Sequence, residues 1–211
     1  MNKEQLSDVI RQLKRNNFQV FFAGNCREAK KIFEEQVLPV IEFKSVSFAD
    51  SMTMKKTGVL ELLRDRKDIR FIDTFNPDDP RPERIEKRRQ ALLSDLFLTG
   101  TNAITEKGQL VNLDMVGNRV AAITFGPRNV VLFIGRNKIV KDLDAAFDRI
   151  RTIAAPQNAA RHPDFKTPCQ QTGTCHDCHN PQRICNSWSI TEKSYPPQRI
   201  RIILINEDLG L

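Results

Sequence analysis

The chain has 211 residues, of which 40% are hydrophobic and 28% are charged, and its formal net charge is +7. This length corresponds to about one domain at roughly 100–200 residues per domain, and the balanced composition excludes a disordered protein. No segment approaches the ~18–20 apolar residues of a membrane span, and residues 1–16 are polar, so we expect neither a membrane span nor a signal peptide. We therefore expect a single cytoplasmic domain over residues 1–211, in a compartment that keeps thiols reduced.

The positive net charge favours a small anionic metabolite as the ligand. The basic residues are spread along the chain, and the run Lys87, Arg88 and Arg89 is diluted by Glu83 and Glu86. This run indicates a solvated helix face. Because a nucleic-acid interface needs a basic patch or stripe, we do not expect nucleic acid as a partner.

The first half of the chain alternates between helical and strand-like patterns. Leu6, Val9, Ile10 and Leu13 recur at helical spacing and predict an opening amphipathic helix. Strand-like runs follow, separated by further helical patterns, at residues 18–23, 43–48, 70–75 and 95–99. This alternation predicts a three-layer α/β fold with a largely parallel sheet covered on both faces.

The second half has a different pattern. A segment rich in glycine and asparagine, residues 100–117, precedes a short helix at 118–123 and a buried strand at 130–134. An amphipathic helix begins near Leu143, and we expect Pro156 to end it. Residues 156–197 show no periodicity, and residues 199–206 predict a final strand. So long an irregular insertion within a compact domain normally has a function or a cross-link.

Four of the five cysteines lie in this insertion, with the spacing C-x5-C-x2-C-x6-C. Four thiolates can bind one zinc ion or a [4Fe–4S] cluster. Two disulfides or four free thiols are the alternatives, and a reducing compartment disfavours the disulfides. His176 and His179 could also replace a cysteine ligand. The predicted metal ligands are Cys169, Cys175, Cys178 and Cys185.

Three loops that follow predicted strands contain polar residues. The carboxyl ends of parallel strands share one edge of the sheet, so these loops should meet at one cleft. Glycine permits close approach, asparagine forms hydrogen bonds, arginine and lysine attract anions, and a helix start offers free N–H groups. The predicted ligand-binding residues are Ser51, Thr53, Gly100, Asn102, Glu106, Asn118, Arg119, Gly135, Asn137 and Lys138.

The segments TGTNAIT, GNRVAAITFGP, NKIV and RICN resemble those of the LUD domain, a lactate-utilisation family once classed as a domain of unknown function. The resemblance covers nearly the whole chain, and the family's cysteine-bearing branch looks like this sequence. It implies a fold like that of the ribose-phosphate isomerase, glucosamine-phosphate deaminase and CoA-transferase superfamily. It also implies a role beside iron–sulfur lactate oxidase subunits as partners.

The segment GTNAITEKGQLVN also resembles the GAD-x-I-x-x-x-G loop of methylthioribose-phosphate isomerase relatives, in which the acidic residue is catalytic. Asn102 stands at that position, and an amide cannot act as a general base. Glu106 is the nearest candidate for the glutamate nucleophile of CoA transferases. The leading interpretation is therefore an accessory protein that binds an anionic metabolite or a partner subunit and has a four-cysteine metal site. The alternative is an enzyme that transforms an acyl-CoA or a sugar phosphate in the same cleft.

Overall fold

The first half of the chain alternates helices with strands, as its hydrophobic pattern predicts. The computed structural model describes residues 3–211, so the first two residues of the predicted domain, Met1 and Asn2, lie outside the described residues. The elements are α1 (Lys3–Arg15), β1 (Gln19–Ala23), α2 (Cys26–Ile32), β2 (Ser45–Phe48), α3 (Met52–Thr57), α4 (Val59–Arg64), β3 (Arg70–Ile72), α5 (Arg81–Ala91) and β4 (Leu96–Thr99). Helix α2 continues into a π-helical turn, Phe33–Val37, and a 3₁₀ turn, Leu38–Val40.

The second half has shorter elements. They are β5 (Ala103–Thr105), β6 (Leu110–Asp114), α6 (Asn118–Thr124), β7 (Asn129–Gly135), β8 (Ile139–Val140), α7 (Leu143–Arg149), α8 (Ala155–Ala160), α9 (Pro168–Thr172), β9 (Ser187–Thr191) and β10 (Ile200–Ile205). A 3₁₀ turn, Arg136–Lys138, follows β7. No helix within residues 3–211 combines the length and apolarity that a membrane crossing requires.

Six strands form a central parallel sheet in the order β1-β10-β7-β4-β2-β3. Alternate residues of its strands face two separate cores. Val131 and Phe133 of β7 pack with α2, α3 and α4, whereas Val130 and Leu132 pack with α1, α5 and α6. Burial on both faces explains why β7 is a continuous apolar run. The predicted three-layer α/β fold with a parallel sheet is confirmed.

A second, mixed sheet lies beside the first, in the order β8-β5-β6-β9. Strand β5 pairs parallel to β8 and antiparallel to β6, which in turn pairs antiparallel to β9. Helix α7 packs on this sheet through Ala146 and Phe147. The Phe147 ring contacts the Trp188 ring edge-on, with 4.9 Å between the ring centroids. This small third core contains Cys185, so it joins the cysteine-bearing segment to the rest of the fold.

The prediction that Pro156 ends a helix was wrong. Helix α7 continues through a π-helical turn, Ile150–Ala154, into α8, and Pro156 lies in the first turn of α8. Proline has no N–H to donate and its ring crowds the preceding turn, so the π-helical turn directly before Pro156 is where the regular α-helical hydrogen bonds are interrupted. The segment 156–197 is also less irregular than its sequence suggests, since it contains α8, α9 and β9.

Candidate functional site

The loops that follow β2 and β4 are in direct contact at one edge of the central sheet. Ser51 follows β2 and caps α3, its Oγ accepting a hydrogen bond from the Met54 N–H at 3.3 Å. Gly100 follows β4, and a Cβ atom there would lie 2.6 Å from Ser51 Oγ and 3.2 Å from the Phe133 carbonyl oxygen. Only glycine therefore allows the two loops to come this close.

Arg149 of α7 connects the loop after β4 to the loop after β7. Its Nη1 donates to the Asn102 carbonyl at 2.8 Å, and its Nε donates to the Asn137 carbonyl at 3.1 Å. The side chain is buried, with a residue exposure of 7%. All three loops are thus joined, and a fixed positive charge lies behind them.

Asn102 and Arg119 hold each other in place. Asn102 Oδ1 accepts from Arg119 Nη2 at 2.7 Å and from the Leu113 N–H at 2.9 Å. Arg119 also donates to the Leu113 carbonyl at 2.7 Å, and its Nε lies 3.7 Å from an oxygen of Asp114. Part of the hydrogen-bonding capacity of both residues is therefore used within the fold.

The joined loops border a cavity of about 600 Å³. Of the predicted ligand-binding residues, Ser51, Gly100, Asn102, Asn118, Arg119 and Lys138 line it. Its basic residues outnumber its acidic ones: Arg81, Arg84, Arg88, Arg119, Lys138 and Arg161 against Asp50, Asp114 and Asp164. A cavity of this size and charge suits a small metabolite with more than one negative charge.

Lys138 is the most confined of these basic residues. Its residue exposure is 5%, and its amine has no hydrogen bond or ion pair with any residue in the described part of the chain. Burial and then the charges of Arg149 and Arg119 lower the pKa of Lys138 to about 7. A large fraction of the molecules therefore has a neutral amine at this position near pH 7.

Asp50 is held in the charged form on another wall of the cavity. Its carboxylate pairs with Lys55 at 2.5 Å and with Arg161 at 2.8 Å. Burial alone would raise the pKa of Asp50, but these two cations outweigh burial and lower the pKa below its usual value. Arg161 is thus neutralised by a protein carboxylate, unlike Lys138.

The remaining predicted residues do not line the cavity. Thr53 is buried, and its hydroxyl donates to the Leu209 carbonyl at 3.1 Å, while Asn137 Oδ1 accepts from the Leu209 N–H at 3.0 Å. Gly135 packs against Asn137, with only 2.6 Å between Asn137 Oδ1 and the position of a Cβ. Glu106 is exposed in the turn between β5 and β6. These positions shape the loops or lie away from the cavity.

The cysteine-bearing segment forms another wall of the cavity, through Pro181, Gln182 and Ile184. Arg183 donates to the carbonyls of Cys178 at 2.5 Å and Cys185 at 2.9 Å, which holds this loop together.

The four thiols of this segment interact electrostatically. Within residues 3–211, no group of three or more His, Cys, Asp or Glu side chains is placed to hold a metal ion. Burial and the nearby thiols of Cys175, Cys169 and Cys178 nevertheless raise the pKa of Cys185 to about 11. A bound cation would reverse this effect, since thiols become thiolates on a metal. As a donor set, four cysteines suit a thiophilic metal.

The comparisons with known proteins agree with this architecture. The family model described as the LUD domain matches residues 6–205. The chain belongs to the LUD domain family. A crystal structure of a DUF162 family protein from Deinococcus radiodurans is similar to this LUD domain, with a TM-score of 0.54 and 10% sequence identity, over 96% of this chain and 97% of that chain. That likeness concerns the fold alone. A comparison with curated proteins gives no match.

Membership confirms the resemblance that the sequence motifs indicated, and it supports the general expectation of a lactate-utilisation-type protein. Three basic cavity residues of this LUD domain that the sequence did not indicate lie on α5. Arg81, Arg84 and Arg88 recur at helical spacing and turn toward the cavity. The interpretation of residues 87–89 as a solvated face was wrong for Arg88, whose Nε is buried without a hydrogen-bond partner.

Proposed function

We propose that this LUD domain binds a small polyanionic metabolite in the cavity between the strand loops, α5 and the cysteine-bearing segment. The observation that supports it best is the excess of positive charge, six basic against three acidic side chains. Protein carboxylates neutralise only part of this charge. A ligand with phosphate or carboxylate groups would supply the missing negative charges.

Arg88 and Lys138 are the strongest candidates for direct ligand contact. Lys138 has no partner of its own, and the buried Nε of Arg88 has none either. The Arg88 guanidinium lies 5.0 Å from the centroid of the Phe75 ring, which restricts its orientation. Hydrogen bonds of charged donors to anions contribute about 1.5–3 kcal/mol each, because both groups are then satisfied in a partly buried site.

The first prediction concerns Arg88. Replacing Arg88→Gln should weaken the binding of inorganic phosphate or citrate by about 10–100-fold, because a charge-assisted contact worth about 1.5–3 kcal/mol is lost. Isothermal titration calorimetry measures the loss. The matched control is Arg89→Gln on the same helix, because Arg89 is exposed and pairs with Glu86. Equal affinities of the two variants would contradict the proposal.

We further propose that Cys169, Cys175, Cys178 and Cys185 bind zinc or a [4Fe–4S] cluster. Support comes from the four-thiol donor set and from the mutual electrostatic effect of the thiols, which a cation would relieve. An iron–sulfur cluster would allow electron transfer, whereas zinc would stabilise the structure of the cysteine-bearing segment. Metal analysis and an absorption spectrum of anaerobically purified protein distinguish the two.

The accessory role beside iron–sulfur lactate oxidase subunits remains a proposal that family membership supports in general terms. Co-purification with such subunits tests it. The alternative, an enzyme acting on an acyl-CoA or a sugar phosphate, is favoured by one observation, the unpaired amine of the largely buried Lys138 in the same cavity.

A further inference from the structure

Lys138 has no partner that would explain a purely structural role. A buried lysine normally pairs with a carboxylate or donates to carbonyl groups, because an uncompensated buried charge is costly. The Lys138 amine does neither within the described residues, and the charges that act on it are those of Arg149 and Arg119. A lysine in such surroundings is present in part as the neutral amine, and a neutral amine is a nucleophile.

The surroundings of Lys138 also provide access for a ligand and limit exposure to water. Lys138 lines the same cavity as Arg84 and Arg88, so an anionic group held by the arginines shares a space with the amine. The backbone of Gly210 lies close to the amine. A Cβ atom at Gly210 would lie 3.3 Å from Lys138 Nζ and 2.6 Å from Thr53 Oγ1, so this glycine allows the close approach.

Two carboxylates that line the cavity are candidates for proton transfer to or from a bound ligand. Asp50 and Asp114 line the same cavity as Lys138. Asp50 is kept charged by Lys55 and Arg161, and Asp114 accepts from the Arg119 N–H at 3.0 Å. A carboxylate that lines the cavity can exchange protons with a bound group through water.

We propose that Lys138 forms a reversible imine with an anionic carbonyl compound, an aldehyde or ketone whose phosphate or carboxylate is held by the cavity arginines. The inference rests on the proposed anion binding and adds the substrate class. The Lys138 nitrogen attacks the carbonyl carbon, and the carbonyl oxygen takes up a proton to give a carbinolamine. Loss of that oxygen as water leaves the protonated imine, and hydrolysis restores the lysine and the carbonyl compound. No oxidant or reductant is needed.

The test is borohydride trapping on the intact protein with three carbonyl probes. Pyridoxal 5′-phosphate offers an aldehyde with a phosphate, glyoxylate offers one with a carboxylate, and pyridoxal offers one without either. After reduction, peptide mapping by mass spectrometry locates the adduct. We expect Lys138 to be the principal site, and at least one anionic probe to label it about tenfold more than pyridoxal does. The preferred anionic probe indicates whether the carbonyl compound carries a phosphate or a carboxylate.

The matched variants are Lys138→Arg, which keeps the charge but cannot form an imine, and Lys107→Arg, which changes an exposed lysine in the turn between β5 and β6. The adduct should disappear in the first and persist in the second, and excess inorganic phosphate should suppress it. Labelling spread over exposed lysines, or labelling that survives Lys138→Arg, would overturn the imine. Mapping in the wild-type protein decides the question even if Lys138→Arg does not fold.

A parallel titration of the wild-type protein with phosphate tests the anion site independently of the imine at Lys138. Heat of binding without an adduct at Lys138 would refute the imine and leave the anion site standing. If neither heat of phosphate binding nor an adduct at Lys138 were observed, the proposed anion site would be refuted as well.

Discussion

Lys138 has a charge that the fold does not neutralise, and this has a measurable effect on stability. Its pKa is about 7 in the folded chain against an ordinary value of 10.5. The unfolded chain therefore binds a proton that the folded chain has released between these two pH values, and the free energy of unfolding rises with pH across this window. Below pH 7 both states are protonated, and the burial cost is fully present.

Replacing Lys138→Met should therefore stabilise the protein at pH 6, by an amount on the order of 3–5 kcal/mol, because the buried charge is removed. The gain should shrink as the pH rises toward 9. Urea unfolding at several pH values measures both effects. The exposed Lys107→Met is the control and should show no such trend. A gain that did not depend on pH would mean that the Lys138 amine titrates normally.

Gly100 provides a second residue-scale prediction, since its missing side chain lets the loops after β2 and β4 touch. Gly100→Ala should destabilise the fold by about 1–3 kcal/mol, because the new Cβ would overlap Ser51 Oγ. Ser51→Ala removes that oxygen, so the double variant should recover part of the loss. A double-mutant cycle in urea isolates this coupling. Strictly additive effects would show that the 2.6 Å contact with Ser51 is not what excludes a side chain.

At the scale of elements, the cysteine-bearing segment is both a proposed metal site and a wall of the cavity. Replacing Cys178→Ser should release bound metal and expose residues 161–186 to proteases, because this segment has few apolar contacts of its own. It should also weaken phosphate binding, because Pro181, Gln182 and Ile184 line the cavity. Metal analysis, limited proteolysis and calorimetry measure the three effects.

The control for this variant is Cys26→Ser, which changes the fifth cysteine, at the start of α2, where it packs against a different core from Cys185. It should retain metal and affinity. Equal metal content in the two variants would count against a four-cysteine site. Metal loss without any change in phosphate binding would show that the order of this segment does not affect the anion site.

Elements with a strong pattern of their own could be predicted from the sequence. The apolar run of β7 and the helical spacing of α1 each specify one structure, because burial on a given face requires that period. Strands β5 and β8 were missed, since they have three and two residues and are defined by their neighbours. The continuation of the helix past Pro156 depends on a π-helical turn that no local pattern indicates.

The cavity could be predicted only in part, for a related reason. The residues that follow strand ends, such as Gly100 and Lys138, were placed correctly at its edge because parallel strands align their ends. The arginines of α5 were missed because the orientation of a charged helix follows from its packing. Ala91 is the buried residue of α5, so its sequence has almost no apolar face from which to infer an inward side.

The order of the strands in the central sheet is the feature of the fold that is hardest to predict from the sequence. Strand β10 lies between β1 and β7, and the side chains of Gln19 and Arg201 are joined across 182 positions of the chain. Nothing local to either strand encodes this pairing, whereas the neighbouring pairs β2 with β3 and β2 with β4 join strands that are close along the chain.

The position of β10 between β1 and β7 has a consequence for folding during synthesis. On the ribosome, β1 has no partner in the sheet until the chain has been translated 182 positions further, since its neighbour is β10. Until then the inner edges of β1 and β7 remain open, and both strands are largely apolar. Open edges of this kind invite pairing with other chains. The nascent chain should therefore depend on chaperones until β10 has been translated, and the central sheet should close only then.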